Sequence, residues 1–77
     1  MGDLLLFIVK NIVTEPEHVS VEEVKAPTGE INLELKVSPM DMGIVIGKGG
    51  KVIKSLRNLV KTKAILENKR VNIVLVE

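Results

Sequence analysis

Three glycines within four residues, Gly47-Lys48-Gly49-Gly50, constrain this chain more than any other feature. They fall between two stretches of helical apolar spacing. One continuous helix is excluded, and two helices must meet at a tight joint. Before the joint, Ser38-Pro39 predicts a short helix, with Ser38 as N-cap and Pro39 at the first helical position, reaching about Ile46. After it, a longer helix is predicted from about Gly50 to Leu66. At about 100° per residue, Val52, Ile53, Leu56, Leu59, Val60 and Ala64 share one face. Lys51, Lys54, Arg57 and Lys61 fall on the opposite face, and Lys63 lies off that stripe. Asn68 can end the helix.

The flanking segments supply a sheet. Residues 3–13 place Leu4, Leu5, Ile8, Val9, Ile12 and Val13 at helical spacing, with Asp3 as a cap. Thr14-Glu15-Pro16-Glu17 breaks that helix. Val19, Val21 and Val24 predict a strand with a bulge at Glu22-Glu23. Pro27-Thr28-Gly29 is turn chemistry, and Ile31 to Val37 alternates apolar and polar residues as a half-buried strand does. Val71–Val76 is almost wholly apolar and reads as a buried strand. The order is α-β-β-α-α-β. A hairpin supplies two antiparallel strands, and the last strand returns through a two-helix crossover as a parallel neighbour. The expected fold is α+β: a three-stranded mixed sheet with helices packed on one face, in a single domain over residues 1–77.

With 77 residues, a chain buries only about 60% of its unfolded surface, which leaves little room for a deep catalytic cavity. There is no cysteine, so disulfides, zinc–thiolate sites and thiol nucleophiles are excluded. His18 is the single histidine and Phe7 the single aromatic residue. A multi-histidine metal site is therefore ruled out, and RNA readers that stack bases on several aromatic side chains are disfavoured. An enzyme of this composition would need carboxylate or lysine chemistry in a pocket the chain can scarcely build. No catalytic residue, metal or cofactor is assigned. The apolar run Leu4–Val9 is too short to span a membrane and follows an acid, so the expectation is a cytoplasmic protein.

A net charge of +1 conceals an asymmetry. Residues 1–41 carry eight acids against three lysines, a balance of −5, and residues 42–77 carry eight bases against two acids, a balance of +6. No acid occurs between Met42 and Leu66. Segregated charge of this kind implies an anionic partner. The glycine joint sits inside the basic half and suits a sugar–phosphate chain. Glycines at both loop ends let a backbone approach the main chain, and the following helix presents its positive end there. Lys48 and Lys51 add full charges. Competing phosphate motifs fail on spacing: Gly43 is one residue too close for a P-loop, and the dinucleotide fingerprint needs glycine where Val52 stands. A plain helix–turn–helix joint is the alternative for the glycines, as an ordinary solvated face is for the basic stripe.

Gly47-Lys48-Gly49-Gly50 matches the GxxG loop of KH domains, and Ile46-Gly47 through Ile53 matches the wider I-G-x-x-G-x-x-I frame. With the αββααβ order, the chain resembles a type II KH domain. Its length, the Glu-Pro break after the first helix and the lead-in Val37-Ser38-Pro39-Met40-Asp41-Met42-Gly43 are similar to the small bacterial KH proteins of the KhpA family. The resemblance covers the whole chain. It implies single-stranded RNA binding in the cytoplasm by an RNA chaperone or post-transcriptional regulator. It also implies a larger KH-containing partner of the KhpB type and a link to cell-envelope and division control.

On this reading Gly47, Lys48, Gly49 and Gly50 clamp the nucleic-acid backbone, and Lys48, Lys51 and Lys54 neutralise phosphates, with Arg57 and Lys61 as further candidates. Met42, Gly43, Ile46, Ile53 and Val37 form or support an apolar floor, and the strand Ile31–Val37 is the opposite wall of the groove. Gly49 at the third loop position makes the loop more flexible and its ordering more costly. The second reading is a homo- or heterodimerisation module in which a partner supplies most RNA binding, using Ile65, Val74 and Val76 off the core faces. Met40 and Met42 are expected as gap fillers. His18 is expected as a solvated turn residue, and Glu15, Glu17, Glu22 and Glu23 as solvated acids.

Overall fold

The computed structural model describes residues 2–76; Met1 and Glu77, the ends of the expected domain, lie outside the described residues. Helix α1 spans Gly2–Lys10, strand β1 Ser20–Lys25, strand β2 Ile31–Lys36, helix α2 Met42–Ile46, helix α3 Lys51–Leu66 and strand β3 Val71–Val76. Short 3-10 turns at Pro16–His18, Pro39–Asp41 and Lys48–Gly50 introduce β1, α2 and α3. The sheet order is β1-β2-β3, with β1–β2 antiparallel and β2–β3 parallel. The fold is α+β, with the expected order of elements.

The strand pattern explains the layering. Leu33 and Leu35 of β2 and Val71 and Ile73 of β3 are buried on one sheet face. Against them pack Leu5 and Val9 of α1, Val45 of α2, and Ile53, Leu56, Val60 and Ala64 of α3. Burying each such leucine or isoleucine stabilises the fold by about 1.5–3 kcal/mol. By alternation the opposite face carries Glu22, Val24, Asn32, Glu34, Asn72 and Val74. There Glu22 stands directly opposite Glu34.

The end of α3 is fixed by Asn68, whose φ is 58°. Asn68 N–H donates to the Ile65 carbonyl at 3.1 Å and Lys69 N–H to the Ala64 carbonyl at 2.8 Å. This is a Schellman closure with asparagine in the left-handed position. It turns the chain straight into β3.

Several local expectations are corrected. Helix α1 stops at Lys10, not Val13, and Asp3 lies within its first turn, where it can complement the helix dipole without acting as N-cap. Strand β1 pairs one-to-one with β2 from Ser20↔Lys36 to Lys25↔Ile31, so no bulge forms. Val24 instead points to the open face. Ser38 makes no side-chain cap bond, and the segment from Pro39 to Ile46 is a 3-10 turn followed by a short helix. Leu59, expected in the core, is 52% exposed.

Candidate nucleic-acid interface

The loop between α2 and α3 is held by its own main chain. Gly47 N–H donates to the Gly43 carbonyl at 2.9 Å and closes α2, and Gly50 N–H donates to the Gly47 carbonyl at 3.1 Å. Gly47 has φ 76° and ψ 169°, a region essentially reserved for glycine. Gly50 is left-handed at φ 75° and ψ 15°. No side chain caps the start of α3. The Lys51 N–H is taken by the Lys48 carbonyl across the 3-10 turn, so this end presents chiefly the positive end of the helix dipole beside an exposed loop.

Lys48, Lys51, Lys54, Arg57 and Lys61 are exposed. Among the described residues, the ion pairs are Lys63–Glu67, Lys69–Glu67 and Arg70–Glu30. The basic row on α3 takes part in none of them, so no described acid neutralises its charge.

The wall facing this row is β3, which corrects the expectation for Ile31–Val37. Strand β2 is central and paired along both edges, whereas β3 is an edge strand. Ile31 N–H donates to the Arg70 carbonyl at 2.9 Å. In the parallel ladder that follows, even-numbered β3 residues bond to β2, and Val71, Ile73 and Leu75 direct their N–H and C=O groups outward. Two hollows lie along this strand. One is lined by Arg57, Lys61, Val71, Asn72 and Ile73. The other, mostly apolar, is lined by Val37, Pro39, Met42, Ile46 and Val76.

The structure thus gathers Lys48, Gly49, Gly50 and Lys51 at the loop, Met42 and Ile46 in the apolar hollow, and Arg57 at the second hollow. Gly43 is exposed on α2 and Lys54 on α3. Ile53 is 7% exposed and supports the site from the core without reaching its surface. Asn72 escaped the sequence reading, which took Pro39 only as a helix start and Val76 only as a dimerisation residue. For Asn72 and Val76 the edge position of β3 was the signal, since a strand returning parallel to β2 must occupy the edge the hairpin leaves open.

Asp41 also escaped it. This carboxylate is fully buried at the foot of α2. Oδ1 accepts hydrogen bonds from Thr14 Oγ1 at 2.7 Å and Thr14 N–H at 3.0 Å, and Oδ2 accepts from Glu15 N–H at 3.0 Å. The Thr14 hydroxyl chiefly holds its pKa below the usual carboxylate range, against desolvation and with help from the two backbone donors and His18. Asp41 therefore fastens the α1–β1 connection to the base of the loop-bearing helix. Beside it, the tight turn at Pro16 brings oxygen and nitrogen atoms of Glu15, Glu17 and His18 within 4.8 Å of one another. Glu17 and His18 are exposed.

Two helices joined by a GxxG loop, packed with a third helix on a β1-β2-β3 sheet whose last strand is parallel and open, define a type II KH domain. Residues 2–75 match the family model described as "KhpA/KhpB, KH domain". The chain belongs to this family. It is 52% identical to the "RNA-binding protein KhpA" of Clostridium perfringens, over 92% of this chain and 93% of that protein. It is 46% identical to the protein of the same name from Caldanaerobacter subterraneus subsp. tengcongensis, again over 92% and 93% of the two chains. With that of Chlamydia caviae the identity is 40%, over 100% of this chain and 97% of that protein.

Proposed function

We propose that this protein binds single-stranded RNA along the path from the glycine loop to the open edge of β3. The observation that carries the reading is the row Lys48, Lys51, Lys54 and Arg57, outside every ion pair among the described residues and running from a helix start that no side chain caps. Phosphates meet the loop N–H groups and the lysines. Bases enter the hollow of Val37, Pro39, Met42, Ile46 and Val76, and the outward N–H and C=O groups of β3 meet base edges. The curated relatives named above carry RNA binding in their names.

The test is a salt titration of binding to a labelled single-stranded RNA. Three phosphate contacts, from Lys48, Lys51 and Lys54, give a slope of log K against log salt of about −2, and roughly 20-fold weaker binding at about 200 mM than at about 50 mM. A slope near zero rejects the clamp.

The finer reading is an RNA chaperone or post-transcriptional regulator acting in the cytoplasm, working with a larger KhpB-type partner in envelope and division control. No described helix is long and apolar enough to cross a membrane. A second reading has its own observation: Leu59, Ile65 and Leu66 are all exposed on α3. Such residues suit a homo- or heterodimer in which a partner supplies most RNA contacts. Light scattering after size exclusion, with and without RNA, separates the two.

A further inference from the structure

The hollow of Arg57, Lys61, Val71, Asn72 and Ile73 does not end at the groove. It shares Lys61, Val71 and Asn72 with a neighbouring hollow that continues around the C-terminal end of α3 to Ile65, Lys69 and Arg70. Arg57, Lys61 and Ile65 follow one another on α3 at intervals of four residues, about 6 Å each. That spacing suits successive units of an extended nucleic-acid strand. The cations at the far end are already close to acids: Lys69 Nζ lies 3.7 Å from Glu67 and Arg70 Nη1 3.8 Å from Glu30. Exposed pairs of this kind are held by little energy, and the Arg70 side chain is 80% exposed. Both cations can exchange a carboxylate for a phosphate at small cost.

Resting on the RNA-binding reading above, the geometry points to a second, outer binding segment at the α3–β3 corner. The strand leaving the groove continues over Lys61 and Asn72 to the ammonium of Lys69 and the guanidinium of Arg70, with Ile65 as an apolar platform for a base. The full ligand is therefore longer than the roughly four nucleotides a GxxG loop clamps.

The experiment compares single-stranded oligouridylates of about four and about eight nucleotides, within the range such sites use, by fluorescence anisotropy across a salt series. Extra binding registers on a longer strand raise affinity without changing its salt slope; extra phosphate contacts steepen the slope by about 0.7 each. The longer strand should show a slope steeper by about 1.4, for two additional contacts. In the double variant Lys69→Ala, Arg70→Ala the longer strand should fall to the slope of the shorter, while the shorter strand binds within about twofold of wild type. Equal slopes for the two lengths in the wild type overturn the outer segment but leave the groove intact, as does a double variant that weakens both lengths alike. Absence of salt-dependent binding at either length overturns the groove reading itself.

Discussion

A Cβ on Gly47 would lie 2.4 Å from Cγ2 of Val52 and 2.8 Å from its backbone nitrogen. The first glycine of the loop is thus pressed against the second residue of α3, and the contact sets how closely the two helices meet. Gly47→Ala meets two penalties, the collision and a backbone region that an alanine avoids. Gly50→Ala meets only the second, since nothing lies within 4 Å of its Cβ position. The Gly50 variant should lose about 1–2 kcal/mol, the left-handed cost of one L-residue, and the Gly47 variant more. Denaturant melts check the order. Val52→Ala should rescue the Gly47 variant only in part, because the backbone nitrogen remains in the way.

The loop centre can be changed without touching the core. Lys48→Asp with Gly49→Asp adds two acids where the Cβ of residue 49 meets open space. Aspartate also tolerates the left-handed conformation of that position better than most residues. The double variant should keep the native circular dichroism spectrum and lose RNA binding. An affinity within about twofold of wild type, too small for two altered phosphate contacts, would count against the clamp.

On α3, two leucines three positions apart should behave in opposite ways. Leu56 is 3% exposed beneath the helix and Leu59 is 52% exposed. Leu56→Ala should cost about 2–5 kcal/mol, and Leu59→Ala less than about 0.5 kcal/mol, in urea melts of dilute protein. A larger loss at Leu59 that grows with protein concentration would place that residue in an interface between copies.

Asp41 gives stability a pH dependence whose sign is fixed. Its folded-state pKa lies below the unfolded value of about 3.9. The contribution is fully present above that value and is lost as pH falls through the folded pKa. Asp41→Asn should lower the urea midpoint at neutral pH, since one amide oxygen cannot serve the Thr14 and Glu15 donors on both sides. The gap between wild type and variant should stay constant above about pH 5 and close below about pH 4. A gap independent of pH would show that Asp41 is not the titrating group.

Periodicity made α3, β2 and the parallel return of β3 legible, because each buries one clean face. Asn68 was legible as a helix end for its tolerance of the left-handed region. Burial of Asp41 left no pattern: one acid beside Pro39 and Met40 looks like any solvated turn carboxylate until Thr14 and Glu15, 27 and 26 positions away, are brought to it. Leu59 sits at the margin of the helical apolar arc, and where that arc ends depends on which neighbours cover it. Strand register likewise decided Val24, which even pairing with Asn32 turns to the open face. The groove wall was misassigned through the sheet's edges, although the parallel return already left β2 with none.

The pairing of Ile31 with Val71 joins residues forty positions apart, whereas Ile31 meets Lys25 across a short hairpin. Local pairs close quickly, and distant parallel ones are slow because a long loop must first be ordered. The hairpin can exist while β3 is still unplaced, but the groove cannot, for β3 is one of its walls. On the proposed reading, competence to bind arrives only once β3 has paired with β2. In refolding experiments followed with a labelled RNA, no ligand should be captured before the whole domain has formed.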